Sequence, residues 1–212
     1  TESTLELIRK AFDNDLCKNI ILKINSPGGS ATQSKIIYDE ILNLKKNTNK
    51  QIFSVIEDVG ASGGYYIAAS ADKIFASNSS IVGSIGVRID SLNFKSLFNK
   101  LGIKSQTISS GKNKLILDPF QDLTDEHKTH LTQLANSIHN EFISDIKLSR
   151  GNLIKDDIVF SGLFWTGNEA LSIGLIDQIS SIYDVNRDYF NNLKLITYNK
   201  KPSILDNFIN SI

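Results

Sequence analysis

The chain has no methionine, one cysteine, one tryptophan, three prolines and three histidines among its 212 residues. A lone cysteine, Cys17, excludes an internal disulfide and a cysteine-based zinc cluster, and is silent about compartment. Neither sign of charge is in excess: lysine plus arginine equal aspartate plus glutamate at 23 each, so no global field draws the chain to nucleic acid or anionic lipid. No apolar run approaches the roughly eighteen residues that mark a membrane span. With no methionine even at position 1, a trimmed or processed piece is expected, any targeting peptide or anchor helix lying outside it.

A chain of this length buries one substantial core. A single domain over residues 1–212 is expected, with its core to about residue 180 and a helix or strand tail over residues 181–212. Apolar spacing predicts a first helix around residues 5–11. Residues 19–24 are a short apolar run suited to a buried strand, and Asn25-Ser26-Pro27-Gly28-Gly29 is a turn. Ile36, Ile37, Ile41 and Leu44 mark the next helix, residues 51–59 a strand, residues 65–71 a short helix and residues 73–76 another strand. Alternating strands and helices predict an α/β fold with a mostly parallel sheet. Thr124, followed by Asp125 and Glu126, caps a long amphipathic helix through Leu131, Leu134, Ile138, Phe142 and Ile146 that Gly151 closes.

The most informative segment is Val59-Gly60-Ala61-Ser62-Gly63-Gly64-Tyr65-Tyr66, where a strand ends in glycines and a helix begins. A serine at such an elbow projects its hydroxyl outward, and the flanking glycines permit the tight turn. Its proton needs an acceptor. His127, His130 and His139 all fall on the long helix, away from any strand end or glycine-rich loop. An esterase order of Ser62, then Asp118 or Asp122, then His127 can be written, but solvated surface histidines are the commoner outcome. A lysine serves if it is neutral, so its ordinary pKa of about 10.4 must fall by roughly two to three, which desolvation achieves. Lys114, before Leu115-Ile116-Leu117, is expected to be embedded among apolar neighbours. Lys112, with polar neighbours, is expected to be exposed.

Four segments together make a more specific pattern: Ile24-Asn25-Ser26-Pro27-Gly28-Gly29, Ala61-Ser62-Gly63-Gly64-Tyr65-Tyr66-Ile67-Ala68, Gly83-Ser84-Ile85-Gly86-Val87 and Ser110-Gly111-Lys112-Asn113-Lys114. In their order and spacing the chain resembles the signal peptide peptidase A family, serine proteases with a Ser/Lys dyad. The resemblance implies a Clp protease/crotonase-like fold of repeated β-β-α units. It implies Ser62 as nucleophile, Lys114 as general base, and the backbone N–H groups of Gly29 and Ser62 as the oxyanion hole. It makes Ser84 the serine that hydrogen-bonds the lysine amine.

The same resemblance implies peptide or protein substrates, among them spent signal peptides and other hydrophobic or unfolded peptides. It implies a homo-oligomeric ring or dome and no metal or organic cofactor. It also implies attachment to a bacterial inner membrane through a segment outside this chain, with the catalytic part extracytoplasmic. Val82 stands where the family commonly has threonine, and the strand and anchor that usually precede the first helix are not in the sequence. Two alternatives belong to other classes: a crotonase-like acyl-CoA enzyme without a nucleophile, and a non-catalytic scaffold that binds without turnover.

Overall fold

A computed structural model describes residues 1–199. Contacts divide the described residues into two compact units, one of residues 1–86 with 142–199, the other of residues 87–141.

The first unit is an α/β assembly. Helix α1 (Glu2–Asp13) leads into strand β1 (Asn19–Ser26), then helix α2 (Ala31–Lys46) and strand β2 (Gln51–Ala61). Ile52, Phe53, Val55 and Ile56 of β2 are all buried, so both faces of the strand are covered. That is the environment of a parallel strand with helices on either side, and branched and aromatic side chains suit it. After β2 come the six-residue helix α3 (Gly63–Ala68) and strands β3 (Lys73–Ala76) and β4 (Ile81–Gly83).

Strand β2 organises the sheet. One edge pairs with β1 in parallel, from Asn19↔Gln51 to Ile24↔Ile56, with an irregularity before Ser26↔Gly60. The other edge is shared: β3 pairs with Phe53 to Ile56, and β4 with Val59 to Ala61. Splitting one edge between two strands leaves the end of β2 held by β1 and β4 together, next to Ser62. Strand β4 also pairs antiparallel with β5 (Phe164–Thr166), and β3 parallel with β6 (Gln178–Ile179).

Helix α5 (Asp125–Arg150) supplies Phe142 and Ile146 to the main core, with Tyr38, Ile56, Tyr65, Tyr66, Ile74 and Val82. Smaller clusters lie under α1 and under helix α7 (Ile182–Phe190). Helix α6 (Gly167–Ile173) is capped by Thr166, completed by the Glu169 side chain, and stops at Gly174 with φ +88°.

The second unit has no strand. Helix α4 (Lys95–Lys100) follows Phe94, whose N–H donates to Pro119 O at 2.7 Å, and the Phe98 and Phe120 rings meet with centroids 4.5 Å apart. Thr124 caps α5 through His127 N–H at 3.2 Å. Leu92, Leu101 and Ile108 of this unit are 70%, 62% and 103% exposed.

Thus the alternating elements and the mostly parallel sheet follow the sequence expectation. The helix after Ser62 starts at Gly63 rather than at residue 65, and β4 and β5 are additions. Of the expected tail, α7 is a helix, and residues 200–212 lie outside the described residues. No helix among the described residues is long and apolar enough to cross a membrane.

Candidate active site

The Pro27-Gly28-Gly29 turn lies directly against the elbow. A Cβ placed on Gly28 would stand 2.8 Å from Ser62 Cβ, 3.0 Å from Gly63 N and 3.1 Å from Ser62 Oγ. Gly28 also has φ +111°, so glycine is required there by both space and backbone. Behind the elbow, a Cβ on Gly63 would meet Ser34 Oγ at 2.3 Å, and one on Gly64 would meet Ser26 O at 2.6 Å. Glycine at 63 and 64 therefore lets α3 close onto α2 and the end of β1.

Ser62 itself has φ +50° and ψ −121°, a conformation that costs an L-residue roughly 1–3 kcal/mol. It is clamped on both sides: its N–H donates to Gly83 O at 2.7 Å, and its C=O accepts from Tyr66 N–H at 2.9 Å. The side chain is half-buried, and its hydroxyl has no hydrogen-bond partner among the described residues.

This geometry corrects the expected oxyanion hole. The Ser62 amide is committed to Gly83 and cannot also receive a substrate oxygen. Gly63 N–H, one residue on, has no acceptor among the described residues, and neither has Gly29 N–H. The two lie close, since a Cβ on Gly63 would be 3.4 Å from Gly29 N. A signal for Gly63 was available: the first residue of a helix has no intrahelical acceptor, so its N–H is free for a ligand.

Ser84 mirrors Ser62. Ala61↔Gly83 is the last pair of the β2–β4 ladder, and both serines stand one residue beyond it with positive φ, +50° and +52°. Ser84 N–H donates to Leu163 O at 2.6 Å, and its hydroxyl has no partner among the described residues. The structure thus brings Gly29, Ser62, Gly63 and Ser84 together in the first unit.

Lys114 belongs to the second unit, in a turn where its N–H donates to Gly111 O at 3.1 Å. Its expected embedding is not found: Leu115, Ile116 and Leu117 are half-buried, but Lys114 is exposed. In a turn, consecutive side chains splay apart, so apolar neighbours in sequence do not cover it. Lys112 is exposed as expected and pairs with Glu126 at 2.9 Å, whereas the Lys114 amine has no partner among the described residues. That ion pair holds the Glu126 carboxyl below its usual range.

The esterase arrangement gains nothing. Asp122 pairs with Lys95, whose hydrogen bond holds its carboxyl below the ordinary carboxylate range, and Asp118 accepts from Phe120 N–H at 2.8 Å. His127 caps its own helix end, with Nδ1 3.5 Å from Thr124 N. Tyr65 and Tyr66 are buried and pack in the core.

A profile of peptidase family S49 matches residues 44–195, well over half of the chain. The chain belongs to peptidase family S49. Its mixed α/β architecture, with a mostly parallel sheet, is the Clp protease/crotonase-like fold of that family. The Brucella melitensis protein named Na(+)/H(+) antiporter NhaA is 42% identical over 195 residues, which are 91% of this chain and 26% of that protein. The putative signal peptide peptidase SppA of Enterococcus faecium is 33% identical over 84% of this chain and 52% of its own length. A putative protease of Methanocaldococcus jannaschii is 34% identical, over 85% of this chain and 58% of its length. The chain therefore spans from about a quarter to under three-fifths of these curated relatives.

Proposed function

We propose that the chain is the catalytic core of a serine endopeptidase, with Ser62 as nucleophile and Lys114 as general base. One observation carries this reading: a half-buried serine hydroxyl without a partner stands at a strained elbow beside two amides, Gly29 and Gly63, that have no acceptor. Neutral Lys114 takes the Ser62 proton as the oxygen attacks a scissile carbonyl. The oxyanion is held by Gly29 and Gly63, and the lysine ammonium returns its proton to the leaving amine. Water, deprotonated by the same amine, then releases the acyl group. Ser84 is the residue that orients the amine.

Lys114 can act only when neutral and shielded from water, yet it is exposed in the single chain. In this reading its cover comes when the site is assembled, with substrate or with a second copy as the sources we propose. The exposed Leu92, Leu101 and Ile108 of its unit favour a second copy, in a ring or dome with sites facing inward. The name of the Enterococcus relative, a putative signal peptide peptidase, supports spent signal peptides as substrates, within a wider class of hydrophobic or unfolded peptides. Attachment to a bacterial inner membrane, with this part extracytoplasmic, would use a segment outside this chain.

A serine-directed fluorophosphonate and a denatured protein substrate test the reading. Ser62→Ala should abolish both labelling and turnover. Lys114→Ala should lower turnover by about 10²–10⁴, the span of general-base catalysis, while Lys112→Ala leaves it intact. Full turnover by Lys114→Ala would remove the lysine from the mechanism.

A further inference from the structure

Helix α3 carries the elbow but has only six residues, too few to hold its own shape. Two adjacent tyrosines pin it from different directions. Tyr65 is fully buried and its hydroxyl donates to Leu175 O at 2.7 Å. Burial pushes the phenol far above its usual pKa, so it stays a neutral donor. Tyr66 reaches to α5 instead. Its ring stacks on Phe142 with centroids 4.2 Å apart and planes inclined by 12°, and its hydroxyl donates to Asp145 Oδ2.

Asp145 is itself held from α2. Lys35 Nζ lies 3.1 Å from Asp145 Oδ2, and the Tyr38 hydroxyl donates to Asp145 O at 3.0 Å. Lys35 has a second carboxylate partner, Asp39, at 2.6 Å. Desolvation opposes the charge on Lys35, but hydrogen bonds to Asp39 and Asp145 outweigh it and raise its pKa. The Lys35 and Asp145 side chains are only 26% and 16% exposed.

Exchanging such a half-buried ion pair for apolar groups is often neutral for stability, so stability alone does not account for it. A charged acceptor does supply direction, by fixing the Tyr66 hydroxyl at one point. Tyr66 is also the residue whose N–H closes the first turn of α3 on Ser62 O. The residue whose side chain is anchored on α5 is thus the one whose backbone holds the Ser62 carbonyl.

We propose that Asp145, oriented by Lys35, is a positioning residue for the nucleophile. Through the Tyr66 hydroxyl it sets the rotation of α3, and with it the aim of Ser62 Oγ and of Gly63 N–H. It acts through Tyr66 and touches neither substrate nor reacting atoms. This inference rests on Ser62 being the nucleophile.

The test uses the full-length protein, peptide kinetics and the rate of Ser62 acylation by a fluorophosphonate. Asp145→Asn keeps the shape of the side chain and removes its charge. It should lower kcat and the acylation rate by the same factor, about tenfold to a hundredfold, with KM unchanged. Tyr66→Phe should do likewise, and the double variant should lose no more than the worse single one. Lys35→Arg should retain the rate that Lys35→Met loses. Wild-type acylation in both Asp145→Asn and Tyr66→Phe overturns the proposal. So does a loss that merely follows the unfolded fraction, or a double variant whose loss is the product of the two. If Asp145→Asn does not fold, Tyr66→Phe decides alone. A wild-type protein that takes no label, or a Ser62→Ala variant that still takes it, instead refutes the reading of the nucleophile.

Discussion

The Ser62 amide donates to the carbonyl of Gly83 at 2.7 Å, which carries the β2–β4 ladder one residue past its last pair. That bond makes a costly backbone conformation at Ser62 sustainable. It also leaves the Gly63 amide, rather than the Ser62 amide, without an acceptor, which is why the proposed mechanism gives it the second oxyanion bond. The Ser62 backbone is thereby tied down on both sides, and its hydroxyl is left without a competing partner among the described residues.

Two neighbouring glycines should therefore behave differently. A Cβ at Gly29 meets nothing within 4 Å, so Gly29→Ala should fold and retain most of its activity. A Cβ at Gly28 meets Ser62 Cβ at 2.8 Å, on a backbone with φ +111°. Gly28→Ala should slow acylation by about a hundredfold, the scale of a misplaced reacting group. Equal acylation rates in the two variants, measured with a fluorophosphonate, would refute the packing of this turn on the serine.

The largest stability effect should come from one carboxylate. Arg150 is 3% exposed, and Asp177 Oδ2 accepts from its Nη1 at 3.0 Å and from Ile74 N–H at 2.7 Å. Asp177→Ala would leave a buried guanidinium without its counter-charge, which typically costs about 3–5 kcal/mol. Arg150→Met removes the charge together with its need, and should cost clearly less. Urea unfolding of the two variants gives the ordering directly.

The glycine motifs locate both turns of the site because glycine is chosen there for backbone reasons that act within a few residues. Thr166 with Glu169, and Thr124 with its acidic followers, are local in the same sense, and both caps form. Strands β4 and β5 are three residues each, too short to show a period, and their pairing is set by partners far along the chain. The bond of the Ser62 amide is not legible for that reason: its acceptor, Gly83, is reached only through a long-range ladder. The expected embedding of Lys114 fails differently. Its apolar neighbours are real, but the turn that carries them gives them no means of covering it.

Acid should weaken two helix starts. Hydrogen bonds from Thr166 hold the Glu169 carboxyl below its usual pKa, the backbone N–H first, and those from Ser181, its hydroxyl first, do the same for Asp184. A carboxyl with a depressed folded pKa stabilises above the unfolded value, about 4, and loses that contribution as pH falls through the folded one. Thermal unfolding of the wild type from pH 7 to 3 should therefore fall more steeply below about pH 4 than that of a Glu169→Gln/Asp184→Asn variant. Parallel curves would mean that these caps contribute nothing in the folded protein.

Ser34 offers a test of the elbow from behind. It is buried on α2, its Oγ donates to Ser30 O at 3.1 Å, and the same Oγ would clash with a Cβ on Gly63. A serine hydroxyl has no length in which to retreat, so Gly63→Ala should push α3 off α2 and carry the Gly63 N–H with it. Losing one such donor typically costs about 10²–10³ in rate, and the acylation rate of Gly63→Ala should fall on that scale. Gly63→Ala combined with Ser34→Gly removes the obstructing atoms, while the remaining contact to Gly29 N at 3.4 Å is ordinary. The pair should recover much of the lost rate, although glycine within α2 costs some stability. A double variant as slow as Gly63→Ala alone would mean that crowding by Ser34 is not what makes glycine necessary at position 63.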